Sequence, residues 1–291
     1  MIGDDVTVVV PTVDRVDLLR RCLRGLTGAQ VLVVHDGNAG VEALLAELDV
    51  PGLRIEQRGV SAKRNAGWRA ATSALVAFTD DDCEPAPGWV HALAAASAEA
   101  DLVAGPVRPH PEDEATGLWA RTVSAEQAGF YPGCNLLLRK ELLERVDGFD
   151  EGLHGGEDTD LAWRVREAGG RAAWAADGVV WHAVRSVTFV EHLRSLPRWS
   201  GLALVARRHP QLRRELAYHR WFWKPSHPVS LLGLLGLALT PLTLWALLAL
   251  APLCVWRVKG YGRRAPQVVV NDLCETAVMV AGSVRHRALL L

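Results

Sequence analysis

The first eighty residues alternate short apolar runs with helix-patterned stretches, and this rhythm narrows the folds open to the chain more than any other feature. Val6–Val10 is a β-branched run closed by Pro11, and Val16–Leu26 follows with helical spacing. Val31–Val34 is a second strand-like run, closed by His35-Asp36-Gly37 before the helical Val41–Leu48. Leu53–Glu56 reads as a short strand, Ser61–Ala74 as an Ala-rich helix, and Leu75–Thr79 as a strand. Short strands alternating with helices predict βαβ units and a mostly parallel sheet. Neither G-x-G-x-x-G nor a P-loop follows the first strand, so this sheet binds any phosphate by other means.

The last of these strands runs into Asp80-Asp81-Asp82. Adjacent carboxylates repel, so the triplet adds no stability by itself. A divalent cation reverses that penalty, because hard oxygen donors suit Mg²⁺ or Mn²⁺. Ligands of open α/β sheets also bind at the carboxyl ends of the strands. The alternative is a solvated, Asp-rich turn ahead of Pro85 and Pro87.

Six segments carry a family likeness in their order along the chain. They are Val8-Val-Val-Pro-Thr-Val-Asp-Arg15, Val33-Val-His-Asp-Gly37, Gly59-Val-Ser-Ala-Lys-Arg-Asn-Ala-Gly67 and Phe78-Thr-Asp-Asp-Asp-Cys83, then Gly133 to Glu151 and Gly155-Gly-Glu-Asp-Thr-Asp-Leu-Ala-Trp-Arg164. Over about residues 6–185 the chain resembles family 2 glycosyltransferases. His35 stands where that family usually has an Asp ahead of Asp36-Gly37. The resemblance implies an α/β, GT-A fold with a mixed sheet flanked by helices. It also implies inverting transfer from a nucleotide-diphospho-sugar donor, with Mg²⁺ or Mn²⁺ as cofactor.

The resemblance further implies roles for single residues. Asp80 would contact the ribose and belong to the metal set with Asp82, which would hold the ion, and His182 would complete the metal or diphosphate site. Asp81 would be a secondary donor-site residue, and Asn135 would hydrogen-bond the donor sugar from below. Asp158 would be the general base that takes the acceptor hydroxyl's proton, with Glu157 in support. The chemistry of the residues leaves alternatives for several of these. Glu157 and Asp158 open a helical stretch, Thr159–Ala168, where acids favour the dipole without any catalysis. His182 follows an apolar strand, a common setting for a plain core or turn histidine.

Pro11, Thr12 and Asp14 leave the first strand and Asp36 the second, where they can line a slot for a nucleobase; Asp14 serves equally as a helix N-cap. Lys63, Arg64 and Asn65 lie at the start of a helix, where cations oppose the macrodipole. A diphosphate would offset them, and solvated surface charge is the alternative.

The second half differs in character. Residues 185–264 carry thirteen Lys and Arg against two acids, whereas residues 1–184 carry seventeen against twenty-nine. The overall net charge of −1 hides this asymmetry. Clustered Arg with Trp199, Trp221 and Trp223 suits an anionic membrane surface, and no nucleic-acid motif accompanies it. Val229–Trp256 then runs 28 residues without a charge, interrupted by Pro241 and Pro252 and flanked by Arg and Lys at both ends. About 20 residues cross a bilayer once and two crossings need roughly 40. A re-entrant or interfacial helical pair bent near Thr240-Pro241 ranks ahead of a single tilted span. A hairpin buried on a neighbouring domain or at a homodimer interface is the third choice. Asp272–Arg285 places Leu273, Ala277, Val278, Val280 and Ala281 on one side, as in an amphipathic helix lying on a membrane.

Met1-Ile-Gly-Asp-Asp lacks a positive n-region, so no secretory leader is expected there. Five scattered cysteines suit a reducing compartment without disulfides. Gly105–Glu112, rich in Pro, reads as a loop leaving a strand. The expected organisation is a transferase domain over 1–185, a basic Trp-rich linker over 186–228 and a membrane-associating helical tail over 229–291. Its expected activity is transfer to a lipid-linked or cell-envelope glycan at the cytoplasmic face of the membrane. A sugar-1-phosphate nucleotidyltransferase and a catalytically inactive membrane scaffold are the alternatives; the first class normally has a Gly-rich loop after the first strand, absent from Pro11–Arg15.

Overall fold

A computed structural model of the chain describes residues 5–291 except 27, 57–58, 115–116, 130 and 216. The stretch read above for a leader lies outside these, apart from Asp5. The chain forms two compact units, one of Met1–Ala115, Arg121–Leu153 and Glu157–Arg185 and the other of Thr116–Ala120, His154–Gly156 and Ser186–Leu291.

In the first unit, β1 (Val6–Pro11), β2 (Gln30–His35) and β3 (Gly52–Arg54) alternate with α1 (Val16–Gly25), α2 (Ala39–Leu48) and α3 (Val60–Ala70). β4 (Leu75–Phe78) carries the aspartates, and β5 (Cys83–Pro85) and α4 (Trp89–Ala96) follow it. Then come β6 (Leu102–Ala104), β7 (Val107–Pro109), the two-residue β8 (Ala120–Arg121), β9 (Leu136–Arg139), α5 (Lys140–Arg145), α6 (Glu157–Glu167), β10 (Ala172–Trp174), β11 (Val180–His182) and β12 (Arg185–Ser186), of which β8 and β12 each have one residue in either unit. A seven-stranded sheet has the order β10-β6-β9-β4-β1-β2-β3. It is mixed because β9 runs antiparallel to both β4 and β6, while the other pairs are parallel.

Strand alternation divides the core between two faces. Val6, Val8 and Val10 of β1 join Ala77 and Leu137 in one apolar cluster, and Val9 joins Val76, Phe78, Leu136 and Leu138 in the other. The helix expected over Ser61–Ala74 stops at Ala70. Ser73 explains the early stop, since its hydroxyl accepts from Thr7 N–H at 2.8 Å and donates to Leu75 C=O, drawing the chain into β4 instead. The loop expected over Gly105–Glu112 contains β7, which pairs in parallel with β11 in a three-stranded sheet.

The second unit is helical. α7 (Phe189–Ser195) starts with a reciprocal cap between Thr188 and Glu191, and α8 (Leu202–Arg208) and α9 (Leu212–Glu215) follow. α10 (His227–Leu239) ends at the Thr240-Pro241 turn, and a 3₁₀ stretch, Leu244–Leu250, leads into α11 (Ala251–Tyr261). Gly262, at φ +53°, breaks the helical run before α12 (Ala265–Arg285). α12 begins earlier than the Asp272 expected from its apolar pattern, because Pro266 is tolerated in a first helical turn.

Candidate active site

β1 and β4 are neighbours in the sheet, yet the chain leaves β1 toward β2 and β3 on one side and continues from β4 on the other. Their carboxyl ends therefore border a topological switch point, where α/β sheets open a crevice. Thr12 and Asp36 leave β1 and β2 here, and Asp80–Asp82 leave β4. Because β9 is antiparallel, its entry segment Gly133–Asn135 arrives at this same edge. A pocket of about 170 Å³ at this edge is lined by Pro11, Thr12, Arg15, Lys63, Asp80 and Asp81, among others. A wider hollow of about 360 Å³ beside β3 is lined by Glu42, Asp49 and Arg54. It includes none of Asp80–Asp82, so chemistry rather than volume singles out the smaller pocket.

Two cations of α3 organise the acids. Lys63 and Arg64 are 2% and 3% exposed, which excludes solvated surface charge. Lys63 Nζ donates to Thr12 C=O at 2.6 Å and to Asp36 Oδ2 at 3.2 Å, tying the ends of β1 and β2 together. Arg64 donates to Asp80 Oδ1 at 2.7 Å and Glu157 Oε1 at 3.4 Å, and lies over the Phe149 ring. Burial works against its charge, but Asp80, Glu157 and Asp158 outweigh that and hold the guanidinium more firmly protonated than usual. The anions that offset these cations are thus the protein's own carboxylates.

The three aspartates have separate fates. Asp80 belongs to Arg64. Asp81 is buried, accepts from Thr12 Oγ1 at 2.7 Å and pairs with Arg15. Burial pushes its carboxyl up to about 6, against the pull of Arg15 and Thr12. The chain turns at Asp81-Asp82, so strand alternation does not set the direction of the Asp81 side chain. Asp82 meets Arg15 through one oxygen, while its Oδ1 lies 3.6 Å from His182 Nε2. Pairing of β11 with β5 sets His182 opposite Cys83 and so brings it beside Asp82.

Asp82, Cys83 and His182 form the one group of potential metal ligands among the described residues. The carboxylate and imidazole fit a divalent ion such as Mn²⁺. Cys83 suits such an ion poorly, because a thiol is a soft donor; burial, with the Cys134 thiol beside it, also pushes its thiol well up. Asp80, expected in the metal set, is absent from this group.

Glu157 and Asp158 open α6 after Gly155 and Gly156, both at positive φ. Asp158 Oδ2 accepts the Gly133 N–H at 2.9 Å, and its Oδ1 accepts its neighbour's N–H, from Thr159, at 2.7 Å. Desolvation, reinforced by the Glu157 charge, pushes the Asp158 carboxyl up to about 6 despite these bonds. A carboxyl near neutrality with an ordered orientation is suited to taking a proton.

Other residues expected in the site have protein partners or lie exposed. Asn135 is 0% exposed, with its amide donating to Pro106 and Gly178 C=O and its oxygen accepting from Trp89 Nε1. It braces the turn at Gly178 against α4. Asn65 is likewise consumed, donating to Phe149 C=O and accepting from Phe149 N–H and Trp68 Nε1. Asp14 is exposed, and no side chain caps α1. Arg15, which bridges Asp81 and Asp82, was not singled out by the sequence reading. Its signal was a lone cation one turn beyond a strand end facing an acidic triplet.

Comparison with known proteins agrees with this geometry. Residues 7–150 match the family described as Glycosyl transferase family 2, and residues 116–259 match Glycosyl transferase family group 2. The chain belongs to the family 2 glycosyltransferases. It is 34% identical over 232 residues to a pre-mycofactocin glycosyltransferase of Mycobacterium tuberculosis, an alignment covering 71% of this chain and 48% of that protein. It is 26% identical over 205 residues to glycosyltransferase AglE of Haloferax volcanii, covering 62% of this chain and 67% of that one. The chain thus spans about half the length of the first of these relatives. Among solved structures, the mannosyltransferase PcManGT of Pyrobaculum calidifontis, in complex with GDP-Man and Mn²⁺, superposes with a TM-score of 0.59 at 19% identity, over 97% of this chain and 87% of that one. GalNAc-T7 with UDP, GalNAc and Mn²⁺ gives 0.54 at 14% identity, over 77% and 50% of the two chains. The architecture is therefore GT-A, a mixed sheet flanked by helices.

Proposed function

We propose that this chain transfers a sugar, with inversion, from a nucleotide-diphospho-sugar to a hydroxyl acceptor. The observation that carries the reading is Asp158, a carboxyl raised to about 6 at the head of α6, set on Gly133 at the switch-point edge of the sheet. In this reading Asp158 takes the acceptor proton as the acceptor oxygen attacks the anomeric carbon. The bond from that carbon to the diphosphate breaks, and nucleoside diphosphate departs with the electron pair. Glu157 assists by holding Arg64, and Arg64 keeps Asp80 oriented toward the ribose. Pro11, Thr12, Asp14 and Asp36 line the nucleobase slot, with Lys63 fixing Asp36. Asp82 and His182 would hold Mg²⁺ or Mn²⁺, which when bound stabilises the negative charge growing on the leaving diphosphate. Two structural neighbours contain Mn²⁺, which supports this choice of ion.

The acceptor is proposed to be lipid-linked or a cell-envelope glycan, reached at the cytoplasmic face of the membrane; the apolar surface of the second unit supports this. A second acceptor class is favoured by one observation, the 34% identity to a protein named for pre-mycofactocin. The test is a screen of nucleotide sugars against the purified chain, with and without Mn²⁺, reading nucleoside diphosphate release. Lipid-linked and mycofactocin-type acceptors are then added in parallel. Metal-dependent release stimulated by one acceptor class supports the proposal, and no release from any donor overturns it in favour of an inactive scaffold.

A further inference from the structure

Within the second unit, the α10–α12 region buries polar groups and exposes apolar ones, whereas α8 and α9 bury Leu202, Val205 and Leu212 in the usual way. Ser230, Asp272, Glu275 and Thr276 are buried, while Leu235, Leu239, Leu248 and Val255 are exposed. The polar face of α12 points inward, and Ala277 and Ala281 point outward. Water-soluble domains bury the opposite set, and an apolar surface of this extent marks an interaction site.

The uncharged run forms a hairpin of two legs. α10 is the first leg, and the 3₁₀ stretch with the start of α11 is the second. The legs pack closely because Gly236 has no side chain: a Cβ there would lie 2.5 Å from Ala246 O and 2.6 Å from Ala249 Cβ. At the tip, Leu242, Leu244 and Trp245 are 83%, 76% and 79% exposed. α10 has 13 residues, a leg of about 20 Å at a rise of about 1.5 Å per residue. The hydrocarbon layer of a bilayer is about 30 Å thick. The second leg, 7 residues of 3₁₀ helix at a rise of about 2.0 Å and Ala251–Trp256 of α11 at about 1.5 Å, measures about 23 Å, so each uncharged leg is long enough to enter the bilayer and too short to cross it.

Charge selects the lipid. Because the legs run antiparallel, both ends of the hairpin lie at its base. Lys224, paired with Glu275, precedes the first leg, and the exposed Lys259, Arg263 and Arg264, which carry the surface charge, follow the second. Trp256 and Tyr261 lie at this basal end with Arg257 over both rings. Aromatic rings with cations at one level match an anionic headgroup layer.

From these observations we infer that Val229–Trp256 is a re-entrant hairpin that enters one leaflet of an anionic phospholipid bilayer by its Leu242–Trp245 tip and returns to the same side. The inference deepens the membrane part of the proposed function and is independent of its catalytic part, because vesicle binding and donor turnover are read separately. The test floats the full chain with vesicles of phosphatidylcholine, alone or with phosphatidylglycerol. Flotation with the anionic vesicles that survives 1 M salt added after binding is expected. The doubly substituted L242D/W245D chain, altered only at exposed tip positions, is expected to lose flotation by at least tenfold while keeping its helical circular dichroism and donor turnover. A thiol probe that cannot cross membranes is expected to miss L242C from both sides of the vesicle. Labelling from the far side would show a crossing span and overturn the inference. Undiminished flotation of the tip variant would also overturn it. So would recovery of the native chain as a detergent-free dimer that ignores vesicles, with the apolar face covered by a second copy.

Discussion

Arg64 holds the site's acids together from a position almost closed to solvent. Arg64→Met would leave Asp80, Glu157 and Asp158 without their shared counter-charge. The expected loss is about 3–5 kcal/mol, the usual cost of breaking a buried pair from one side, checked by denaturant midpoint. Asp158 makes a second prediction. Its carboxyl is raised from 3.8 to about 6 by desolvation. Catalysis by the ionised form should therefore fall as the pH drops through about 6 in the free enzyme's kcat/KM. The effect on stability has the opposite sign. The folded chain binds this proton more tightly, so the contribution is fully present below 3.8 and lost as the pH rises through about 6. Asp158→Asn should reduce turnover by roughly 10²–10⁴-fold with little change in donor affinity; near-normal transfer would move the base elsewhere. Arg15 provides a third. Its guanidinium already neutralises Asp82, so it competes with a divalent ion for that carboxylate. Arg15→Gln should tighten Mn²⁺ binding in the absence of nucleotide, measured by titration of the free ion's paramagnetic resonance signal. Unchanged or weaker affinity would show that Arg15 does not oppose the metal.

At the scale of elements, the distance between α3 and β1 sets the site, because α3 carries Lys63 and Arg64 and β1 delivers Thr12. Gly67 permits that distance: a Cβ there would lie 2.3 Å from Val9 Cγ1. Gly67→Val should push α3 off the sheet and cost about 1–3 kcal/mol, as overpacking does. Donor affinity should fall with it, since Lys63 would lose Thr12 and Asp36; thermal denaturation and nucleotide titration check the two effects together. The antiparallel β9 matters in the same way. Its direction alone brings Gly133, and with it the amide that holds Asp158, to the edge where β1 and β4 end.

Considered whole, the molecule joins an acidic catalytic unit to a basic, apolar-surfaced one. Long-range attraction of residues 185–264 to anionic lipid is screened within about 10 Å at 0.1 M salt, whereas apolar insertion is not. Raising salt should therefore slow association with anionic vesicles severalfold and leave dissociation almost unchanged, as stopped-flow mixing would show. Dissociation that speeds up with salt as much as association slows would mean that charge alone holds the protein there.

Much of this was legible in the chain itself. The strands of the first unit follow from β-branched runs, the Asp triplet from its place at a strand end, and α6 from Glu157-Asp158 after two glycines. The uncharged hairpin follows from 28 residues without a charge and a central proline. These features depend on neighbours two to four residues apart, which sequence displays directly. The partnerships were not legible. The partners of Asn135 were open until β9, α4 and the Gly178 turn met around it. Arg64 could face a diphosphate or water until packing set it between Asp80 and Glu157, 93 residues away from the latter. Which face of α12 is buried was equally open, because an amphipathic pattern defines two faces and not which one meets the interior. Sheet register and helix packing make those choices, and both are set by contacts between segments far apart in the chain.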